Sequence, residues 1–138
     1  LSKNAQEFIS VLQKKGILVG LVSGGFAPIV ERLAKSLGIS YFSANQLEVK
    51  DGFLTGRLVG EIVTGQVKES TLEKWRTELG LPKERTIAIG DGANDLLMLK
   101  TAGHGIAFCA KEVVKAEIAC HVDTRDFLEV LPLIDFLE

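Results

Sequence analysis

Apolar positions fall in short runs separated by polar or glycine-rich breaks, and two periods alternate along the chain. Residues 4–15 carry Phe8, Ile9, Val11 and Leu12 on one helical face. Lys14-Lys15-Gly16 closes that helix: the lysines suit the carboxyl end of the helix dipole, and the glycine suits a C-cap. Residues 17–22 are a continuous apolar run, the pattern of a strand buried on both faces. The run ends at Ser23-Gly24-Gly25. Pro28 then stands where a helix start tolerates a missing N–H, and a helix is predicted through Ile29, Val30, Leu33 and Leu37 to Gly38. Residues 40–43 read as a short strand.

Residues 47–50 and 53–60 flank Asp51-Gly52, the pattern of a β-hairpin. A helix is predicted over 71–79, with Lys68 at or just before its first turn; Gly80 and Pro82 stop it. Residues 86–89 form another buried strand. It runs into the turn Gly90-Asp91-Gly92-Ala93-Asn94-Asp95, and an apolar helix continues from Asp95 to near Gly103. A strand over 104–108, a helix around 113–119, a strand over 120–122 and a helix from 126 onward complete the chain. This alternation predicts an α/β, Rossmann-like parallel sheet with helices on both faces, the hairpin being an edge addition.

Charge and composition narrow the function. The 138 residues have a net charge of −2, with both signs scattered, which gives no reason to expect nucleic acid as a partner. No apolar run is long enough to span a membrane, and no cleavable signal pattern is present. Cys109 and Cys120 lack metal-ligand spacing and fit a reducing, cytoplasmic setting as small core residues. His104 and His121 stand at no ligand spacing and read as structural or surface residues. The chain opens at Leu1 on a helix already under way, so residues 1–138 read as part of a core domain from a longer polypeptide.

The candidate chemistry gathers at two strand ends. Open α/β sheets bind ligands beyond the carboxyl ends of their strands. Asp91 and Asp95 bring hard oxygens without nearby His or Cys, which favours Mg²⁺ over zinc. Asn94 can donate to a phosphate oxygen. Ser23 offers a hydroxyl, Gly24 and Gly25 offer backbone N–H groups that no Cβ shields, and a helix start near Phe26 or Ala27 adds its dipole. Lys68 offers a positive charge. Taken singly, a Gly-Asp-Gly or Ser-Gly-Gly is usually a turn, and a lysine among sixteen basic residues is usually a solvated one.

Gly90-Asp91-Gly92-Ala93-Asn94-Asp95 resembles the fourth signature motif of the haloacid-dehalogenase superfamily of phosphotransferases. Ser23-Gly24-Gly25-Phe26 resembles the second motif as seen in its phosphoserine phosphatase branch. The order Gly65-Gln66-Val67-Lys68, helix, Gly90-Asp91-Gly92 resembles the third, which selects Lys68 over Lys74 and Lys83. Ala44-Asn45-Gln46-Leu47-Glu48 and Ala107-Phe108-Cys109-Ala110-Lys111 resemble the same branch. The resemblance implies magnesium-dependent hydrolysis of O-phosphoserine through an aspartyl-phosphate intermediate. In it Asp91 is a metal ligand; Lys68 and Asp95 are catalytic; Ser23, Gly24, Gly25, Lys68 and Asn94 hold the substrate. Asp95 is expected to orient Lys68 or a metal-bound water rather than touch the metal.

The family's first motif, Asp-x-Asp, occurs nowhere in this sequence. In the family it ends the central strand, its first Asp is the nucleophile, and a helical cap follows. The chain is therefore expected to lack its central strand and cap, to need an upstream segment as partner, and to turn over nothing alone. Two alternatives stand beside the enzyme: a non-catalytic phosphate- or partner-binding module on the same scaffold, and the phosphorylation domain of a P-type transporter.

Overall fold

A computed structural model describes residues 4–59 and 63–137, without the side chains of 47, 49, 54–59 and 135–137. The elements follow in order: α1 (Ala5–Lys14), β1 (Gly20–Phe26), α2 (Ala27–Ser36), β2 (Tyr41–Lys50), β3 (Phe53–Val59) and α3 (Gly65–Glu78), then β4 (Ile87–Gly90), α4 (Leu96–Thr101), β5 (His104–Phe108), α5 (Glu112–Lys115) and β6 (His121–Val122). Short 3₁₀ turns cover Lys83–Arg85 and Ala93–Asp95, and a longer one covers Phe127–Leu137.

The α/β alternation is as expected, with strands arranged in two three-stranded sheets, β1-β2-β3 and β4-β5-β6. β1 and β2 pair in parallel, as do β4 with β5 and β5 with β6; among the described residues only the β2–β3 hairpin is antiparallel. Nothing among the described residues hydrogen-bonds β1 to β4. The halves are nevertheless packed together. Val19, leading into β1, and Ile87 and Ile89 of β4 lie against the same cluster as Phe8, Leu12, Ile106 and Val130. Phe127 stacks on Phe8 at 5.4 Å and on Phe108 at 4.2 Å, which seats α1 and the 3₁₀ tail over β5. On the other side Trp75 of α3 lies edge-on to Tyr41 of β2 and directly over Gly20, where a Cβ would strike its ring. A second cluster, built on Leu99, Ala107 and Val114, fills the space between β4, β5, α4 and α5.

Several boundaries differ from expectation, each for a local reason. β1 starts at Gly20 rather than Ile17 and continues through Ser23, Gly24 and Gly25 to Phe26, so these residues are strand end rather than turn. The separate strand over 40–43 and the first hairpin arm are one ten-residue strand, β2, whose polar middle hid its continuity. Its first part pairs with β1 and its second with β3. Position 60 of the predicted hairpin lies outside the described residues. α3 starts at Gly65, not Thr71, because Thr64 caps it: the Thr64 side chain accepts from Val67 N–H at 3.3 Å. α5 is a single turn, shorter than expected. The last segment is 3₁₀ rather than α, and Pro132 within it removes an N–H that an α-helix needs.

Candidate active site

The centre of the site is an ion pair. Lys68 is 8% exposed and Asp95 5% exposed, so neither could be charged there alone. Lys68 Nζ donates to Asp95 Oδ1 at 2.7 Å. The other carboxylate oxygen, Oδ2, accepts from the backbone N–H of Asp91 and of Gly92, each at 3.1 Å. One carboxylate thus holds the lysine with one oxygen and shapes the Gly90-Asp91-Gly92 turn with the other. Burial works to raise its pKa, but the hydrogen bond from Lys68, the Gly92 N–H, the lysine's charge and the Asp91 N–H outweigh it. Asp95 is held below the ordinary carboxylate value.

That turn needs its glycine. A Cβ on Gly90 would lie 2.6 Å from Asp95 Cβ and 2.7 Å from its carboxyl carbon. With the Asp95 carboxylate drawn inward, the Asp91 side chain stays exposed. Its carbonyl accepts from Lys111 N–H at 3.2 Å, which ties the turn to the segment after β5. Asn94 is also exposed, and its backbone carbonyl lies against Gly65, 3.1 Å from where a Cβ would stand. Lys68, Asp91, Asn94 and Asp95 are therefore brought together, with Lys68 buried inside the first turn of α3 rather than solvated before it.

The β1 end joins them through a residue to which the sequence assigns no role. Ser23 Oγ accepts from Gly25 N–H at 2.9 Å. That contact orients a lone pair and leaves the hydroxyl proton free to donate, while committing the Gly25 N–H to the serine. Asn45 of β2 donates from Nδ2 to the Gly24 carbonyl at 2.9 Å, and its Oδ1 accepts from Val63 N–H at 2.6 Å. Val63 and Thr64 lead directly into α3 and Lys68. Ser23, Gly24 and Gly25 are thus joined to the Lys68–Asp95 pair by hydrogen bonds through Asn45, the Val63–Thr64 peptide and one helix turn. The Asn45 signal was present in the sequence as part of Ala44-Asn45-Gln46, but a lone asparagine before a hairpin reads as turn chemistry.

Among the described residues no group of three or more His, Cys, Asp or Glu is arranged to hold a metal. Asp91 supplies one exposed, hard carboxylate oxygen. Mg²⁺ uses one or two protein carboxylates and completes its shell with water and phosphate oxygens, so this donor fits it. Cys109 and Cys120 are free, half-buried thiols. His121 Nδ1 lies 3.1 Å from Asp123, on the far strand. No helix of the described residues is long and apolar enough to cross a membrane.

Two three-stranded sheets carrying a buried lysine–aspartate pair beside an exposed aspartate have counterparts among known proteins. The sequence model of the haloacid dehalogenase-like hydrolase family matches residues 1–100, and the chain belongs to that family. Its relatives include the phosphoserine phosphatase of Streptococcus thermophilus, 52% identical over 97% of this chain and 62% of that protein. The phosphoserine phosphatase of Lactococcus lactis is 49% identical over 99% of this chain and 63% of its own length. A solved phosphoserine phosphatase structure with substrate bound superposes with a TM-score of 0.91 at 42% identity, covering 97% of this chain and 64% of that one. The chain therefore spans less than two thirds of the relatives it matches.

Proposed function

We propose that the chain is the carboxy-terminal part of a magnesium-dependent phosphatase that hydrolyses O-phosphoserine to serine and phosphate in the cytoplasm. The observation that carries this reading is the buried Lys68–Asp95 pair beside the exposed Asp91, with the end of β1 linked through Asn45 to the segment that leads into α3. The named activity of the relatives supports the substrate.

Each residue has a task that its geometry suits. Ser23 donates its free hydroxyl proton to a phosphoryl oxygen. Lys68 gives one of its three donors to Asp95 and keeps two for phosphoryl oxygens, so it neutralises charge from a fixed position. Asp95 holds that lysine in place and aims it. Asn94 donates from the rim. Asp91 would hold Mg²⁺, which supplies charge neutralisation at the phosphate when bound.

The nucleophile is not among these residues. In this reading an upstream strand carries the Asp-x-Asp motif and lies between β1 and β4, which do not pair among the described residues, while Val19 ahead of β1 and Ile87 and Ile89 of β4 lie against one cluster. Its first carboxylate attacks phosphorus as the bond to the serine oxygen breaks. Its second gives that oxygen a proton. Water, giving a proton back to that second carboxylate, then attacks phosphorus and breaks the bond to the first carboxylate, releasing phosphate and the free carboxylate.

The test is phosphate release from O-phosphoserine and a panel of other phosphomonoesters, with and without Mg²⁺. Three preparations are compared: the chain alone, an upstream fragment alone, and the two combined. Turnover only in the combined, Mg²⁺-containing sample supports the reading. Turnover by the chain alone overturns the role given to the upstream strand, and phosphate binding without any turnover would favour a binding module.

A further inference from the structure

Four polar or charged residues are buried among the described residues: Asn45, Lys68, Thr86 and Asp95. Lys68 and Asp95 belong to the proposed mechanism. Thr86 latches the start of β4, donating to the Lys83 carbonyl and accepting from Gly103 N–H. Asn45 remains, 7% exposed and using both ends of its amide.

We infer that Asn45 is a positioning residue that sets the two phosphate-gripping segments, Ser23-Gly24-Gly25 and the start of α3, in register with each other. This rests on the phosphatase reading above. A peptide unit is planar, so fixing the Gly24 carbonyl also fixes the direction of the Gly25 N–H. That N–H is the donor that orients Ser23 Oγ. The other end of the amide fixes the Val63 N–H, one residue before the Thr64 cap, and Thr64's carbonyl accepts from Lys68 N–H at 2.9 Å. A displacement at Asn45 therefore moves the serine hydroxyl and the lysine ammonium relative to each other. Both must meet one phosphoryl group, and catalytic geometry tolerates little error. An apolar residue would fill the same space but leave a buried carbonyl and a buried N–H without partners.

Two substitutions separate the ends of the amide. Asn45→Asp keeps an acceptor for Val63 N–H and removes the donor to Gly24. Asn45→Ala removes both. They are made in the polypeptide that includes the upstream segment and compared with the parent for KM, kcat, inhibition by inorganic phosphate and Tm. Asn45→Asp is expected to raise KM and the phosphate inhibition constant together by about tenfold. Asn45→Ala is expected to lower kcat as well. Folded variants whose KM and phosphate inhibition stay within twofold of the parent would overturn the inference, even if Tm falls.

A measurement on the unmodified protein needs no variant to fold. In a titration with inorganic phosphate, the Asn45 side-chain NH₂ resonances should shift along with the Gly25 amide. Gly25 shifting while the Asn45 amide stays still overturns the positioning role. A Gly25 amide indifferent to phosphate, or a parent inactive on every phosphomonoester, counts instead against the phosphatase reading.

Discussion

Lys68 Nζ and Asp95 Oδ1 lie 2.7 Å apart although 27 positions separate them in the chain, and both side chains are at most 10% exposed. Breaking such a pair on one side leaves a charge in a dry place. Lys68→Met should therefore destabilise the fold by about 3–5 kcal/mol, read from denaturant unfolding. Adding Asp95→Asn should recover part of that loss, because the amide oxygen still accepts from Asp91 and Gly92 N–H without a buried charge. Activity should not return with the stability. A single variant as stable as the parent would show that the pair is not closed in solution.

The same pair sets an acid limit. Asp95 is held below its ordinary value of 3.8, so its folded form binds its proton less readily than its unfolded form. Its contribution is complete above the unfolded pKa and is lost as the pH falls through the lowered one. Stability measured from pH 7 downward should be insensitive to this group until about pH 4, then decline. The gap between the parent and Asp95→Asn should narrow over that acid range. A gap that stays constant down to pH 2 would contradict the assignment.

Two glycines separate fold from site. A Cβ at Gly90 would drive into Asp95, so Gly90→Ala should lower both Tm and turnover. A Cβ at Gly24 meets nothing within 4 Å, so the fold should accept Gly24→Ala with little change in Tm. If phosphate approaches the backbone there, the added methyl should weaken phosphate binding by about tenfold or more. Unchanged affinity for phosphate would move the binding rim away from β1.

Asp91 should matter only when metal and substrate are present. It is exposed, and among the described residues its hydrogen bonds are made by its backbone. Asp91→Asn should keep the parent Tm and lose Mg²⁺-dependent turnover by at least about a hundredfold in the polypeptide with its upstream segment. A loss that added Mg²⁺ fully restores would mean weakened binding; no loss would remove Asp91 from the metal site.

Much of this was legible in the residues. The apolar runs located β4 and β5 and the first part of β1, the Asp51-Gly52 pattern located the hairpin, and Gly90 to Asp95 read as the turn between β4 and α4. What stayed hidden depended on contacts across the chain. α3 begins at Gly65 because Thr64 caps it, yet its first turn carries too few apolar positions to show a helical face. β2 looked interrupted at Asn45, since the partners that justify a buried amide, Gly24 and Val63, are 21 and 18 residues away. Resemblance selects Lys68; among the described basic side chains its burial against Asp95 sets it apart.

The division of the sheet has a consequence for handling the molecule. Among the described residues β1 and β4 each end a three-stranded sheet, and an unpaired strand margin is a template for foreign backbone. A preparation of this chain by itself should self-associate with rising concentration, and supplying a matching strand in trans should suppress that association.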